Sequence, residues 1–138
     1  MRILLIGKSG QVGGELQRIL SRVGETTATN RSELDLSDPS QIRNTVRHFR
    51  PELIVNAGAY TAVDKAESEP ETARAVNGIA PGILAEEART VGAALIHYST
   101  DYVYSGKARA KPYLETDSTD PASVYGKTKL EGDLAIKK

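Results

Sequence analysis

Tyr125 and Lys129 are the residues of this chain whose types and spacing best support acid–base chemistry. Residues four positions apart on a helix lie on one face, about a turn apart, so these two side chains can share a site. A lysine ammonium beside a phenol favours the phenolate and lowers the tyrosine pKa from about 10. Such a tyrosine can donate or accept a proton, and we expect the hydroxyl of Thr100 to bind the oxygen whose proton moves. Taken alone, the letters YGKTK also fit a packed tyrosine and solvated lysines.

Three glycines at a spacing of three, Gly7, Gly10 and Gly13, form a second candidate site after an apolar run. The stretch Gly7–Ser9 resembles the end of a nucleoside-triphosphate loop, but that loop needs another glycine at position 2, where this chain has Arg2. A strand, turn and helix that bind a dinucleotide fit better. In that interpretation Gly7 allows the tight turn, Gly10 the approach of a pyrophosphate, and Gly13 the close packing of helix on strand.

Short apolar runs alternate with helical stretches, which predicts a doubly wound, Rossmann-type α/β fold with a parallel sheet. Strands are predicted at Arg2–Ile6, Glu25–Thr29, Leu53–Val55 and Ala93–Tyr98. Helices are predicted at Gln11–Val23, Pro39–Arg50, Glu71–Val91 and Ser123–Lys138, the first with the apolar stripe Leu16, Ile19, Leu20 and Val23. Pro81 is predicted to kink or divide the third helix. Ser105–Pro121 is predicted to be an irregular loop, long enough to act as a lid.

The carboxyl ends of parallel strands meet at one edge of a sheet, where open α/β sheets bind their ligands. The glycine turn, Asn56–Ala59 and Ser99–Asp101 follow three such ends, so we expect them to converge with the Tyr125 helix on one crevice. We interpret His97, within an apolar strand, as a hydrogen-bonded core residue rather than a base. Because a dinucleotide-binding sheet usually has two three-stranded halves, residues 1–138 are expected to form an incomplete domain, truncated before the second half ends.

Composition excludes several function classes. Apolar residues make up 39% of the 138, which is enough for one core. The 18 basic and 18 acidic residues cancel, so we expect neither nucleic acid nor an acidic membrane surface as a partner. The chain has no cysteine and two distant histidines, which predicts no disulfide and no metal site. The first apolar run is too short for a signal peptide, so the sequence predicts a soluble, cytoplasmic protein.

Several stretches carry a resemblance to a known family. They are GKSGQVGGELQ, IVNAGAYTAVDKAESEPE, VNGIAP, IHYSTDYVYSG and PYLETDSTDPASVYGKTKLEGD, and together they span nearly the whole chain. The chain resembles the N-terminal part of an extended short-chain dehydrogenase/reductase. The glycine motif is shared by that whole superfamily, whereas STDYVY followed by PYLETD and YGKTKLEG is typical of a branch that reduces dTDP-linked 4-keto-6-deoxysugars.

The resemblance implies a role for each matching residue. Tyr125 would protonate the developing alkoxide at C4 of the sugar, Lys129 would bind the nicotinamide ribose, and Thr100 with Asp101 would hold the substrate. Cofactor contacts are implied for Gly7, Gly10, Gln11, Val12 and Gly13 at the pyrophosphate, Asp35 and Leu36 at the adenine, Ala59, Tyr60 and Thr61 at the nicotinamide side, and Tyr98 under the cofactor. The resemblance also implies a C-terminal substrate domain outside this chain, so we expect residues 1–138 to be inactive alone. It further implies a homodimer, and magnesium in full-length relatives with no site in these residues.

The end of the second predicted strand bears on the choice of cofactor. A fold selective for NAD usually has an acidic residue there, whereas this chain has Asn30 and Arg31. Because a guanidinium can bind a 2′-phosphate bidentately, we predict NADPH as the preferred cofactor, with NADH as the alternative.

Other functions stay open at the level of sequence. A nucleotide-sugar 4,6-dehydratase would have an Asp-Glu pair after the threonine, but Asp101 is followed by Tyr102, which counts against it. Another nucleotide-sugar reductase or a 4-epimerase remains an alternative. So does a non-catalytic, cofactor-binding protein similar to the regulatory subunit of methionine adenosyltransferase, because the tyrosine and lysine can persist in such a protein.

Overall fold

The computed structural model describes residues 1–107 and 111–138, and within these ranges four parallel strands form one sheet in the order β2-β1-β3-β4. The strands are β1 Arg2–Ile6, β2 Glu25–Thr29, β3 Leu53–Asn56 and β4 Ala94–His97. Their register aligns the carboxyl ends, since Ile6 pairs with Thr29 and Asn56, and Asn56 pairs with His97. The predicted convergence of these ends on one edge is therefore built into the sheet.

Helices cover both faces of the sheet. They are α1 Gln11–Leu20, α2 Pro39–Phe49, α3 Val63–Ala66, α4 Pro70–Arg74, α5 Ala80–Val91 and α6 Val124–Ile136. A π-helical segment, Ala75–Ile79, joins α4 to α5 without a break, and a 3₁₀ turn, Asp101–Val103, follows β4. Several ends match the predictions, since Asp38 caps α2 through its carboxylate and Gly92 ends α5 at φ 75°.

Alternation along the strands divides the core into two clusters. On one face Ile3, Leu5 and Val55 pack against Leu16 and Leu20 of α1. On the other face lies the larger cluster, drawn from β1, β3, α2 and α5, which includes Leu4, Ile6, Ile42, Val46, Ile54, Leu84 and Ala88. Because α1 and α2 lie on opposite faces, the chain reverses its winding direction between β1 and β3, and this confirms the predicted doubly wound α/β fold.

A buried carboxylate ties α2 to α5. Glu87 is fully buried and accepts hydrogen bonds from Arg47, through Nε at 2.7 Å and Nη2 at 2.7 Å, and from Arg43 at 2.7 Å. The hydrogen bond from Arg47 is the main cause that holds the pKa of Glu87 below its ordinary value. The two helices that cover the larger cluster are therefore held together by charge as well as by apolar packing.

The first helix is shorter than predicted. It ends at Leu20, and Ile19 and Val23 are more than half exposed, so only Leu16 and Leu20 of the predicted stripe pack on the sheet. The next strand requires this early exit, because the N–H of Glu25 bonds the carbonyl of Met1 at 3.0 Å at the start of the sheet.

The third predicted helix is not divided at Pro81, because it runs on from α4 through the π-helical segment into α5. The helix instead widens before the proline, where the N–H of Ala80 bonds the carbonyl of Ala75, five residues earlier. Pro81 has no N–H for the carbonyl of Asn77, so the widened turn and the proline occur together. The short helix α3 and the 3₁₀ turn after β4 were also absent from the sequence prediction.

Candidate functional site

The glycine turn follows the carboxyl end of β1, next to β3. The winding direction of the chain reverses between these two strands. Gly7 has φ 94°, and a Cβ at this position would lie 2.7 Å from the nitrogen of Gly58. A Cβ at Gly13 would overlap the carbonyl oxygen of Gly7. Both glycines are therefore required by the fold itself, as the sequence predicted for the turn and for the packing of helix on strand.

Gly10 differs from these two glycines. A Cβ at Gly10 would meet only the carbonyl oxygen of Gly7, at an ordinary contact distance of 3.5 Å, and its φ of −81° suits any residue. The protein around this position therefore leaves free the space that a side chain would fill. A residue without a side chain is needed here only if something outside the chain approaches the backbone.

The N-terminus of α1 has no side-chain cap, in contrast to α2 and α6. Asp38 caps α2 by accepting from two backbone N–H groups, and the hydroxyl of Ser123 accepts from the N–H of Gly126 at 3.1 Å in α6. At α1 the N-cap is Gly10, which has no side chain, so the first N–H groups, including those of Gln11 and Val12, donate no bond to a capping side chain. Free N–H groups at the positive end of a helix suit an anionic ligand.

A cavity of about 280 Å³ opens beside this turn. Its lining combines the turn, the segment after β2 and the segment after β3, namely Ile6, Gly7, Ser9, Gly10, Asn30, Arg31, Leu34, Asp35, Leu36, Ala57, Gly58, Ala59, Tyr60, Thr61 and Val76. Pockets for drug-sized ligands typically span roughly 300–1,000 Å³, so this one fits part of a dinucleotide. The residues predicted at the two ends of the cofactor, Asp35 and Ala59, line the same cavity.

Charged side chains surround the mouth of this cavity. Arg31 is largely exposed, and its Nε lies 3.7 Å from a carboxylate oxygen of Asp35. The hydroxyl and N–H of Ser37 hold the pKa of Asp35 below its usual value, and Arg31 acts in the same direction. In the adjacent glycine turn, Lys8 donates to Glu33 at 2.8 Å. Arg31, which lines the cavity, thus stands beside a carboxylate, and so does Lys8 in the adjacent turn.

Asn77, in the π-helical segment, fixes one wall of the cavity. Its Oδ1 accepts from the N–H of Tyr60 at 2.9 Å, and its Nδ2 donates to the carbonyl of the same residue at 3.0 Å. The same Nδ2 lies 3.4 Å from the hydroxyl of Thr128 in α6. The segment that follows β3 is therefore held by one buried amide, which also reaches the helix that carries Tyr125 and Lys129.

Lys129 is deeply buried at the carboxyl end of β4. The residue is only 2% exposed, and its Nζ donates to the carbonyl of Tyr98 and lies 3.2 Å from Nε2 of His97. Burial is the main cause that lowers the pKa of Lys129, and Asp133 opposes that shift. The predicted pairing of this ammonium with the phenol of Tyr125 is absent among the contacts of the described residues.

His97 is a hydrogen-bonded core residue, as predicted, but it also reaches the candidate site. Its Nδ1 lies 3.0 Å from Nδ2 of Asn56, and the Oδ1 of Asn56 accepts from the N–H of Gly58 at 3.1 Å. Burial, followed by the charge of Lys129, lowers the pKa of His97 to about 4. A continuous chain of hydrogen bonds therefore runs from Gly58, on the cavity wall, to Lys129.

Tyr125 and Thr100 both contact Tyr102. The rings of Tyr102 and Tyr125 pack edge to face with centroids 5.5 Å apart, and the hydroxyl of Thr100 accepts from the N–H of Tyr102 at 3.3 Å. Thr100 and Asp101 also line an open groove of about 560 Å³ between the end of β4 and α6, together with Leu134. The catalytic residues predicted from the sequence thus gather around the end of β4, beside a groove that is separate from the first cavity.

The predicted loop 105–121 is irregular wherever the structure describes it, and residues 108–110 lie outside the described residues. Tyr113 stacks on Tyr104 with centroids 4.5 Å apart, and the N–H of Asp120 bonds the carbonyl of Val103 at 3.1 Å. Glu115 and Thr119 join Tyr113 in lining the groove. The described parts of this loop therefore form a wall of the groove, and the role of a lid stays a prediction.

The comparisons with known proteins agree with this arrangement. The family model described as RmlD substrate binding domain matches residues 1–138. The chain belongs to this family. Among relatives of this RmlD-family chain, the dTDP-4-dehydrorhamnose reductase of Escherichia coli K12 is 51% identical over 141 residues, which cover 99% of this chain and 47% of that protein. The chain spans about half the length of the curated relatives that it matches.

Solved structures extend the likeness to the fold. The RmlD-family chain superposes on the dTDP-4-dehydrorhamnose reductase of Clostridium acetobutylicum with a TM-score of 0.94 and 39% identity, over 99% of this chain and 49% of that one. The corresponding protein of Bacillus anthracis Ames, solved in complex with NADP, gives a TM-score of 0.92 and 34% identity, over 99% and 49%. The sheet and its helices therefore occur in these proteins in the same arrangement.

Sequence reasoning missed several residues of this RmlD-family site. Ser9 and Leu34 line the cavity, and Asn77 holds its wall, whereas Ala57 and Gly58 belong to the strand end that the sequence had placed at the crevice. Asn56 contacts His97 although 41 residues separate them along the chain, and His97 in turn contacts Lys129. Only the in-register pairing of two strand ends reveals that contact, so no local pattern signals it. Within the described residues no cluster of metal-ligating side chains occurs, and no helix has the length and apolarity to cross a membrane.

Proposed function

We propose that the polypeptide carrying this chain reduces the C4 ketone of dTDP-4-dehydro-6-deoxy-L-mannose to dTDP-L-rhamnose, with NADPH as the hydride donor. Two dTDP-4-dehydrorhamnose reductases that are 51% identical to the chain support this function, as does a relative solved in complex with NADP. The observation that carries it is the continuous edge from the cavity to Lys129, joined by the hydrogen bonds of Asn56 and His97. One edge thereby offers an anion-binding helix end and acid–base side chains together.

The residues at this edge fit a dinucleotide. The uncapped start of α1 offers N–H groups to a pyrophosphate, and the open space at Gly10 lets that group approach the backbone. We assign Gln11 and Val12 to this contact, Asp35 and Leu36 to the adenine, and Tyr60 to the wall nearest the nicotinamide. The exposed guanidinium of Arg31 is available to a 2′-phosphate, which favours NADPH over NADH.

The chemistry follows from charge. A bound nicotinamide would supply a hydride to the ketone carbon, and negative charge would then develop on the ketone oxygen of the substrate. Tyr125 donates a proton to this oxygen, while the hydroxyl of Thr100 donates a hydrogen bond to it and Asp101 contacts the sugar. Lys129, as an ammonium, favours the loss of the tyrosine proton. General-acid assistance of this kind contributes about 10² to 10⁴ in rate.

The proposal extends to the setting of the reaction. We assign residues 1–138 to the dinucleotide-binding part of the polypeptide and most of the sugar-nucleotide contacts to residues beyond it, so this segment alone is expected to be inactive. The groove beside Thr100 and Asp101 supports a substrate at this end of the sheet. We also propose that the full-length polypeptide forms a homodimer and is cytoplasmic.

The experiment follows NADPH oxidation by its absorbance in the full-length polypeptide, with the dTDP-linked 4-keto-6-deoxysugar as substrate. The expected result is oxidation that depends on both the sugar and the enzyme and is lost in Tyr125→Phe. Saturable NADPH binding without any oxidation would contradict the proposal and would favour a non-catalytic, cofactor-binding protein.

A further inference from the structure

The hydrogen-bond chain from Gly58 to Lys129 has a fixed direction. The backbone N–H of Gly58 can only donate, so the side-chain atom of Asn56 that faces it at 3.1 Å must be the carbonyl oxygen. The other end of that side chain, which lies 3.0 Å from Nδ1 of His97, is then the NH₂ group. Since an amide NH₂ only donates, Nδ1 of His97 accepts and carries no proton.

The position of the remaining ring proton follows. Burial is the main cause that lowers the pKa of His97 below its ordinary 6.5, so the ring is neutral near pH 7 and has one proton. With Nδ1 occupied as an acceptor, that proton sits on Nε2, which lies 3.2 Å from Nζ of Lys129. An N–H group that points at Nζ needs a lone pair there, and an ammonium has none.

Other groups do not change this conclusion. Nζ of Lys129 donates one proton to the carbonyl of Tyr98, which an amine does as well as an ammonium. Asp133 is the acidic group that favours the ammonium, but its carboxylate lies 3.9 Å from Nε2 of His97 and accepts from the hydroxyl of Ser99. At that distance it does not replace the lysine as the partner of the ring N–H.

We propose that Asn56 and His97 are positioning residues that hold Lys129 as the free amine when no cofactor is bound. The N–H of Gly58 fixes the orientation of the Asn56 amide, and that amide fixes the tautomer of His97. The His97 ring in turn determines the protonation state of Lys129. Lys129 is thus held as a base, and it becomes an ammonium only when a proton is supplied. This chain of hydrogen bonds begins at Gly58 on the cavity wall. The segment that lines the cavity therefore determines the charge of Lys129 at the end of β4.

The direct test is nitrogen NMR on the full-length polypeptide with isotope-labelled histidine, in the absence of cofactor and substrate. A bare ring nitrogen resonates far from a protonated one, so the tautomer is read from the spectrum, and the His97 signals are those that disappear in His97→Gln. The expected result is a bare Nδ1 and a protonated Nε2. A protonated Nδ1 in the wild-type protein would overturn the proposal without any need for a variant.

Asn56→Asp reverses the direction of the chain. A carboxylate accepts from both the N–H of Gly58 and Nδ1–H of His97, which leaves Nε2 bare and able to accept from an ammonium. The expected result is the opposite tautomer, together with a Lys129 pKa raised by about one unit or more. Asn44→Asp, on the exposed face of α2, adds the same charge elsewhere and should leave the tautomer unchanged. An unchanged tautomer in a folded Asn56→Asp protein would contradict the proposal.

A further readout rests on the proposed function. A reductase that needs the Lys129 ammonium loses rate as the pH rises through the pKa of that lysine, and Asn56→Asp should move this fall to higher pH. A purely structural role of Asn56 would lower the rate without moving the profile. Absence of any reductase activity would count against the proposed function, whereas the tautomer is measured without cofactor and decides the present inference separately.

Discussion

The glycine turn and the end of β4 lie on the same edge of one sheet, but they are formed in different ways. At the turn the backbone approaches itself so closely that Gly7 and Gly13 have no room for a side chain. At the end of β4 buried polar side chains, His97 and Lys129, fill the space and satisfy each other. The first region therefore depends on shape and the second on polar and charged groups. Substitutions in the first should mainly lower the free energy of unfolding, and substitutions in the second should mainly lower the reaction rate.

The largest effect is expected in the charged region. Lys129→Met removes the buried amino group and keeps an apolar side chain of similar length, so the rate of NADPH oxidation should fall by about 10² to 10⁴. Because methionine fills the same space, the free energy of unfolding should fall by only about 1 to 3 kcal/mol, the cost of leaving the Tyr98 carbonyl and Nε2 of His97 without this partner. A loss of stability in urea that matches the loss of rate would show that this region, too, depends on shape.

The next effect belongs to the glycine turn. Gly13→Ala places a methyl group onto the carbonyl oxygen of Gly7 and should lower the free energy of unfolding by about 3 kcal/mol, measured by denaturant titration. Gly10→Ala is the matched control, because the protein leaves room there. It should cost less than about 1 kcal/mol as a helix cap but weaken NADPH binding at least about tenfold. Equal stability losses in both variants would contradict the distinction.

A pH effect separates the two regions further. The pKa of His97 falls from 6.5 to about 4 on folding, so the unfolded chain binds more protons between these values. Stability from this group is full above pH 6.5 and is lost as the pH falls towards 4, by on the order of 2 kcal/mol. His97→Gln should flatten the dependence in this window, and His48→Gln, at an exposed position, should not. The Glu87 carboxylate contributes its own loss only below its ordinary pKa of 4.5.

The smallest effect is expected at the rim of the cavity. Arg31→Glu should reverse a preference for NADPH over NADH by on the order of tenfold, because an exposed guanidinium contributes modestly and the new carboxylate repels a 2′-phosphate. Binding constants for both cofactors, measured by fluorescence titration, provide the check. Arg22→Glu makes the same charge change at an exposed position outside the cavity lining. An unchanged preference in Arg31→Glu would remove this residue from cofactor selection.

The shape-dependent region was largely predictable from the sequence. Glycine spacing after an apolar run identified the turn, and the functions expected for Gly7 and Gly13 follow from backbone contacts alone. The start of α2 at Pro39 and the end of α5 at Val91 were likewise predicted, because the residues beside them, Asp38 and Gly92, are caps with local chemical signatures. Local rules suffice wherever the deciding contact lies within a few residues along the chain.

The charge-dependent region was predicted only in part. The sequence indicated that Lys129 and Tyr125 belong to one site, but it assigned the lysine to the phenol rather than to His97 and Tyr98. The contact between Asn56 and His97 depends on the register of two strands, which the sequence leaves open by a residue at each end. A slip of one residue turns a strand side chain to the other face, so partners of this kind need coordinates.

The widened turn at Ala75–Ile79 has a further consequence for how the edge is assembled. One additional residue in a helix rotates everything beyond it by about 100°, so this segment sets the angular phase between α4 and α5. Asn77 lies within it and touches both Tyr60 and Thr128. Deleting a single residue here would restore a regular helix, yet it would swing that amide off its two partners and uncouple the cavity wall from α6. The irregular turn thus acts as a spacer that keeps two distant parts of the chain aligned.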